Sequence, residues 1–551
     1  MKLSIEKIGE VELDKPMTLL EIYQKYKEKF PYIVTAASVD NELRDLNFKV
    51  ERDAKIRFFD MSDDIGMQVY VRSLTFLFIK ACHDVLLDCK VHIEHSLGDA
   101  LYTEVYWKQP IGQEEVETIE KRMKEIVEKD LPIKRLRVPV EEALVYFKTL
   151  GYEDKVRVLK YRKKDHIHIY EMDGFKDFFY GYMVPSTGFL KWFKLKFHLP
   201  GIILQFPNPK NPLEVSPFKE QPKLSRIFRE AERWAHILEI ADVGALNEYI
   251  SKGMAGEIIR IAEALHEKKI AQIADIIAEN KERLRVILIA GPSSSGKTTF
   301  AQRLMVQLRV NGLRPIAISL DNYFVDRDKT PLDEEGKPDF EALEAIDLKL
   351  FNQQLAALIQ GREVYLPKYN FIKGTREFSK IPTQIEKDQP IVIEGIHGLN
   401  ETLTALIPKE NKFKIYVSAL TQISIDNHNR ISTTDTRLIR RLVRDSRCRG
   451  ADAKKTIAMW PSVQRGAQKH IFAYQEEADV MFNSALVYEL AVLKKYAEPL
   501  LLQITKDDPE YIVASYLLKF LDYFLPIEDE RDIPLTSILR EFIGGSCFLV
   551  E

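Results

Sequence analysis

Four cysteines in 551 residues, Cys82, Cys89, Cys448 and Cys547, are too few and too scattered to staple so long a chain with disulfides. Net charge is scarce as well: 80 Lys and Arg stand against 83 Asp and Glu, which leaves −3. That balance excludes gripping nucleic acid by bulk positive charge, although a local basic patch is compatible with it. No apolar run of about 18 residues occurs, and charged, alternating sequence follows Met1 in place of an apolar leader core. A cytoplasmic protein without membrane contact is therefore expected. Internal repeats and low-complexity tracts are missing too. What remains is 45% hydrophobic and 30% charged, a core-forming composition. The length suits three or four domains of roughly 100–200 residues.

Texture changes along the chain suggest where those domains lie. Over residues 1–60, Leu3–Leu13 alternates as a half-buried hairpin would, and short strands fit Ile33–Val39 and Lys55–Phe59. Thr18 and Glu21 form a capping-box pattern before a helix whose apolar face carries Leu19, Ile22, Tyr23 and Tyr26. Residues 61–199 form a second α+β unit, with Val116, Ile119, Met123 and Ile126 on one helical face. Prolines at 200, 207, 209, 212, 217 and 222 predict an extended connector, followed by helices to about Leu284. From Arg285, apolar strands alternate with amphipathic helices, which predicts a parallel sheet covered on both faces. Residues 491–551 read as a helical extension. The expected class is multidomain, α+β in front and α/β behind.

Val286–Ala290 is an apolar, β-branched run, and it leads into Gly291, Pro292, Ser293, Ser294, Ser295, Gly296, Lys297, Thr298 and Thr299. This is G-x-x-x-x-G-K-[ST] between a strand and a helix, the P-loop. Its glycines let the backbone curl so that amides face phosphate oxygens, and the helix N-terminus adds partial positive charge. Lys297 is placed to reach the β and γ phosphates, and the Thr298 hydroxyl to ligate Mg²⁺. The chain is thus expected to bind ATP with Mg²⁺. Asp321 ends the next strand, at the rim where ligands gather in an open parallel sheet. It is either a base for an attacking hydroxyl or a cap on the following turn. Glu394 ends a third strand and is a candidate for Mg²⁺ binding, directly or through water. Arg437, Arg440, Arg441, Arg444, Arg447 and Arg449 follow as a run that reads either as a solvated helix face or as a guanidinium lid over phosphate.

Taken in order, the P-loop, Asp321–Phe324, Asp339–Asp347, Leu366–Phe371, Ile393–Gly395 and the arginine run resemble the uridine/cytidine kinase and phosphoribulokinase family, over 285–490. The resemblance implies that Asp321 activates a 5′-hydroxyl and that Glu341 stands where an Asp usually holds ribose. Tyr369 and Phe371 would be aromatics around sugar and base. Arg441 would lie on the substrate side, and Arg444 and Arg449 would bind phosphate beside Lys297. Two departures bear on the acceptor: Gly374 falls where the family's base-reading His would be, and Phe324 replaces a common Tyr. A site that loses a polar reader of the base loses discrimination, so the nucleoside is open. The segment Trp460–Gly466 resembles this subfamily without an evident chemical role.

The front half resembles a different family. Residues 1–60 are similar to a TGS (β-grasp) domain, and 61–199 to the editing-side domain of threonyl-tRNA synthetase. The four positions that carry that family's metal-binding-type site read Arg72, Phe76, Phe179 and Met183 here. Neither a base nor a soft metal ligand remains, so a scaffold is expected. Cys82, His83, Cys89, His92 and His95 fit no standard zinc spacing and read as core or surface residues.

Three functions follow as expectations. The first is ATP- and Mg²⁺-dependent phosphorylation of a nucleoside 5′-hydroxyl. The second keeps the fold but moves the acceptor to a sugar phosphate or another small alcohol. The third is an RNA- or ribosome-associated NTP-binding module, which the near-zero net charge disfavours. A homo-oligomer is compatible with all three.

Overall fold

The computed structural model describes every residue except 333–335, 337, 371, 372, 387, 422 and 549–551, together with the side chain at 236. In the front unit, β1 (Lys2–Ile5) and β2 (Gly9–Glu12) form the hairpin. They are followed by α1 (Leu19–Lys25), β3 (Val34–Val39), β4 (Glu42–Arg44) and β5 (Ala54–Asp60), in sheet order β2-β1-β5-β3-β4. The capping box is formed: the Thr18 amide donates to Glu21 Oε2 at 2.7 Å, and the Glu21 amide to Thr18 Oγ1 at 3.2 Å.

The second unit begins with α2 (Asp64–Val85). By length and composition this helix qualifies as a membrane span, yet it lies mostly buried inside the protein as the core helix of this unit. Next come β6 (Lys90–Ser96), β7 (Ala100–Tyr106), α3 (Gln113–Glu128), β8 (Lys134–Pro139), α4 (Val140–Thr149), α5 (Glu153–Lys160), β9 (His166–Met172), β10 (Phe175–Phe178), β11 (Lys194–His198) and β12 (Gly201–Gln205). The sheets are β11-β12-β7-β6 and β8-β9-β10. The expected break at 199/200 therefore falls inside a hairpin. Ile202, Ile203 and Leu204 are fully buried in β12, and that burial outweighs the flanking prolines. Irregular chain resumes only after Gln205.

Helices α6 (Pro222–Leu238), α7 (Val243–Ser251) and α8 (Ala255–Glu279) bridge to the second half. There β13 (Val286–Ala290), α9 (Lys297–Val310), β14 (Ile316–Ser319), α10 (Leu348–Ile359), the hairpin β15 (Pro367–Asn370) and β16 (Thr375–Phe378), β17 (Ile391–Glu394) and β18 (Lys412–Ser418) follow. A small hairpin, β19 (Ser424–Asp426) and β20 (Asn429–Arg430), leads into α11 (Thr433–Cys448), α12 (Ala453–His470) and β21 (Val480–Asn483). The main sheet is wholly parallel, in order β14-β17-β13-β18-β21, as the alternating pattern predicts. The tail carries α13 (Glu489–Leu501), α14 (Tyr511–Leu521) and α15 (Arg540–Ile543).

The cores do not follow the expected boundaries. One buried cluster runs from Phe147, Val158 and Ile169 in the second unit, through Ile287 and Phe300 in the P-loop region, to Phe520 and Phe542 in the tail.

Candidate active site

The central strand β13 is fully buried along its length and delivers the glycine-rich turn to the C-terminal edge of the sheet. Two residues there take left-handed backbone, Ser294 (φ 61°) and Gly296 (φ 82°). Gly296 needs both its conformational freedom and its lack of a side chain, since a Cβ would lie 2.5 Å from Ile538 Cγ2. Lys297 opens α9 and turns its Nζ back to the Pro292 carbonyl at 3.3 Å. Thr298 occupies the next position on the helix. Among the described residues, nothing hydrogen-bonds the buried hydroxyls of Ser294 and Ser295.

The two carboxylates arrive on neighbouring strands. Asp321 sits in the turn Leu320–Tyr323 directly after β14. Glu394 ends β17, in register with Ile289 of β13 on one side and Ser319 of β14 on the other. Ser319 Oγ donates to Glu394 Oε1 at 2.8 Å. Burial pushes Asp321 up, opposed by Lys297, Arg449 and Arg444. Burial and the neighbouring Asp321 raise Glu394 to about 7. Lys297 is pushed down by burial against the pull of Glu394, Asp321, Glu541 and Glu341. Acids and amine alike are thus driven toward neutrality, as in a site short of compensating charge.

A solvated arginine face would be exposed, but Arg437, Arg440, Arg441 and Arg444 on α11 are all buried. Arg437 Nε donates to the Ser293 carbonyl at 3.0 Å, and Arg441 Nη1 to Ser293 Oγ at 2.8 Å, so the helix leans on the P-loop. Arg440 is a core pairing with Glu489 and the Ser484 carbonyl, and its Nη1 also donates to the Ser294 carbonyl at 3.4 Å. Sequence reasoning gave Asp445 no role. Its carboxylate lies 3.0 Å from Arg441 Nε, 2.9 Å from Arg444 Nη2 and 3.9 Å from Arg449 Nε, holding three guanidinium groups as a set. The signal was the i, i+4 spacing of Arg441, Asp445 and Arg449.

Beside the arginine helix, burial raises Glu341 to about 7, against Arg441 and Lys297. Its side chain lies on α12 where Gly466 leaves room, since a Cβ there would approach Glu341 Cβ to 2.5 Å. The Trp460–Gly466 segment thereby gains a physical role. Trp460 also backs Arg437, whose Cζ is 5.3 Å from the ring centroid, while no described residue accepts from its buried indole Nε1. Tyr369 meets Phe324 edge-on at 5.7 Å, and Phe371 lies outside the described residues. The space beside Gly374 is filled: a Cβ there would meet Arg327 Cβ and Nε at 2.9 Å. An arginine therefore borders the position where the resemblance implies a histidine.

The synthetase-like positions lie elsewhere. Phe76, Phe179 and Met183 are buried, with the two rings edge-to-face at 5.6 Å, and Arg72 donates to the Tyr182 carbonyl at 2.8 Å. His83 reaches the Tyr152 hydroxyl at 3.2 Å, and His95 stacks on Phe228 at 3.8 Å. Cys82 and Cys89 are buried, and His92 lies 3.7 Å from Glu94. Beside these groups, the β19–β20 hairpin of the second half is inserted into the front half. Lys155 lies 3.2 Å from Asp177 and 2.9 Å from Asp426, and His428 Nδ1 is 2.6 Å from Asp177. The Asn427 amide donates to Asp154 at 2.8 Å, and Asn429 Nδ2 to the Phe178 carbonyl at 2.9 Å.

Residues 286–491 match the Phosphoribulokinase / Uridine kinase family. They are a domain of that family. This kinase-family domain has the parallel sheet described above. A possible uridine kinase from Bacillus stearothermophilus shares 18% identity with the chain. That match covers 38% of this chain and 97% of that one, with a TM-score of 0.26. D-glycerate 3-kinase from Cryptococcus neoformans shares 16%, covering 46% and 87%, with a TM-score of 0.22. Curated relatives of the front part of the chain include threonine–tRNA ligases. Those of Burkholderia lata and Methylococcus capsulatus are each 31% identical over 185 residues, which is 33% of this chain. The chain spans 29% of the length of these relatives.

Proposed function

We propose that the chain transfers a phosphoryl group from ATP to the 5′-hydroxyl of a nucleoside. The observation that carries this reading is the meeting, at one edge of the parallel sheet, of Asp321 with the P-loop lysine and the lid arginines. The amides of Gly291–Thr299 would cradle the triphosphate, and Lys297 would draw charge from the transferring group. Asp321, pushed up by burial, is suited to accept the acceptor hydroxyl's proton near neutral pH. Arg444 and Arg449, gathered by Asp445, would meet the charge spread over the equatorial oxygens. Arg441 and Glu341 would hold the acceptor, with Tyr369 beside its ring.

The hard oxygen donors Thr298 Oγ1 and Glu394 suit Mg²⁺, which would neutralise phosphate charge when bound. The raised Glu394 agrees with a carboxylate that awaits a cation. The front half acts as a scaffold: the positions that could carry synthetase-type editing hold two phenylalanines, a methionine and a hydrogen-bonded arginine.

Arg327 beside Gly374 favours a second reading, in which the acceptor carries an anionic group such as a sugar phosphate. A coupled ADP-release screen over nucleosides and sugar phosphates separates the two. Turnover with a nucleoside supports the first, and turnover confined to phosphorylated sugars replaces it with the second. ATP binding without turnover on any alcohol would leave an NTP-binding module, for which a salt-dependent tRNA gel shift is the companion assay.

A further inference from the structure

The C-terminal segment reaches a place that a phosphate would claim. Glu541, only 5% exposed, accepts from Thr299 Oγ1 at 2.8 Å and from the Thr299 amide at 3.3 Å. Thr299 is the third residue of α9, so its amide is one of the helix's first four donors, which have no partner within the helix. Those donors and the dipole behind them are what a P-loop offers to the phosphates nearest the nucleoside. A carboxylate satisfies the same preference for negative charge. The donor pair is therefore already taken by an anion from the same chain.

The rest of the segment is fitted to that position. Ile538 presses its Cγ2 methyl against Gly296, where a Cβ would lie 2.5 Å from it. The Phe542 ring lies 4.9 Å from Arg440 Cζ. Arg447 Nη2 donates to the Glu541 carbonyl at 2.9 Å, and Arg447 Nε to the Phe542 carbonyl at 3.1 Å. Arg440 and Arg447 both belong to α11, so residues 538–542 are wedged between the P-loop and the arginine helix. Thr299 has no exposed surface left.

We infer that the C-terminal segment is an autoinhibitory element, in which Glu541 holds the inner phosphate seat at Thr299 until a nucleoside triphosphate displaces it. This rests on the reading of Gly291–Thr299 as a triphosphate site. Two anions cannot share one amide and one hydroxyl, and a carboxylate left beside a triphosphate adds like-charge repulsion in a poorly hydrated place. Nucleotide binding is then coupled to release of the segment, and the apparent affinity falls by the fraction of molecules in which it is released. Arg447 ties the same event to α11: freeing the Glu541 and Phe542 carbonyls frees a guanidinium next to the lid.

The test is a titration of the full-length protein with a fluorescent N-methylanthraniloyl-ATP in Mg²⁺, comparing the native chain with Glu541→Gln and Glu541→Ala. Glu541→Gln removes the charge but keeps an acceptor, and Glu541→Ala removes both. The expected result is tighter binding by about tenfold, larger for Glu541→Ala than for Glu541→Gln. Equal or weaker binding by both variants overturns the inference and leaves Glu541 a structural cap. No binding by any of the three chains overturns the triphosphate reading itself, and the inference with it. Amide hydrogen exchange on the unmodified chain gives an answer that does not depend on variants folding. Adding ATP with Mg²⁺ should speed exchange at residues 538–545, and slower exchange there would overturn the inference.

Discussion

Two clusters of charge can be compared directly in this molecule, one fully buried between its halves and one partly exposed at the P-loop. Between the halves, Lys155, Asp177, Asp426 and His428 lie at 2.6–3.2 Å from their partners. Burial works against Lys155 and Asp177, yet their opposite charges win: Lys155 is held up, and Asp177 is held down at about 2. Asp426 alone is driven up. At the P-loop the outcome is reversed. Glu341 and Glu394 rise to about 7, Arg437 falls to about 10, and Asp321, Lys297 and Arg449 all move toward their neutral forms. One cluster is complete as folded, and the other lacks countercharge that a ligand would bring. The contrast fits a structural pairing between the halves and the proposed binding site at the P-loop.

The largest effect that tests this contrast is on turnover. Asp321→Asn should lower kcat by about 10²–10⁴ while ATP binding, followed by calorimetry, stays within a factor of two or so. Near-full turnover would remove Asp321 from its assigned role. Next is Lys155→Met, which leaves Asp177 and Asp426 buried without their cation. It should cost about 3–5 kcal/mol by denaturant unfolding, and a loss under about 1 kcal/mol would mean that water relieves the cluster.

The last effect is spread over the pH dependence of stability, where the two clusters should have opposite slopes. Asp177 sits at about 2 when folded, against about 3.9 unfolded, so its contribution is present above pH 4 or so and is lost as pH falls toward about 2. Glu341 and Glu394 sit at about 7 when folded, against about 4.3 unfolded. The folded chain then holds protons that the unfolded one releases, so stability without ligand declines as pH rises from about 4.3 to about 7. The Asp177 limb is worth about 3 kcal/mol, and each of the two glutamates about 4 kcal/mol. Thermal melts of Asp177→Asn and Glu341→Gln should each flatten only their own limb.

How much of this was legible in the sequence depended on whether a signal was local. The β-strand, glycine-rich turn and helix of the P-loop are contiguous, so Val286–Val310 could be read directly. Glu394 ends an apolar strand and Asp321 lies in the turn just after one, so both carboxylates are legible as rim residues because a parallel sheet puts its strand ends together. The boundary near 200 was misplaced because proline density outweighed Ile202–Leu204, whose pairing with β7 involves residues about 100 positions earlier. Glu541 was invisible for the same reason: its partner Thr299 is 242 residues away, and no periodicity links them. The arginines of α11 are legible as a run, but how each meets the P-loop is decided by Ser293, Ser294 and Glu489, which are remote from them in sequence.

The hairpin that crosses between the halves has a consequence for whether they can be separated. Asp426, His428 and Asn429 have nearly all their side-chain partners in the front half or in one another. A P-loop half cut free at Val286 would carry these groups into water with their bonds broken. The two halves therefore cannot be parted without exposing a joint that belongs to the interior of both.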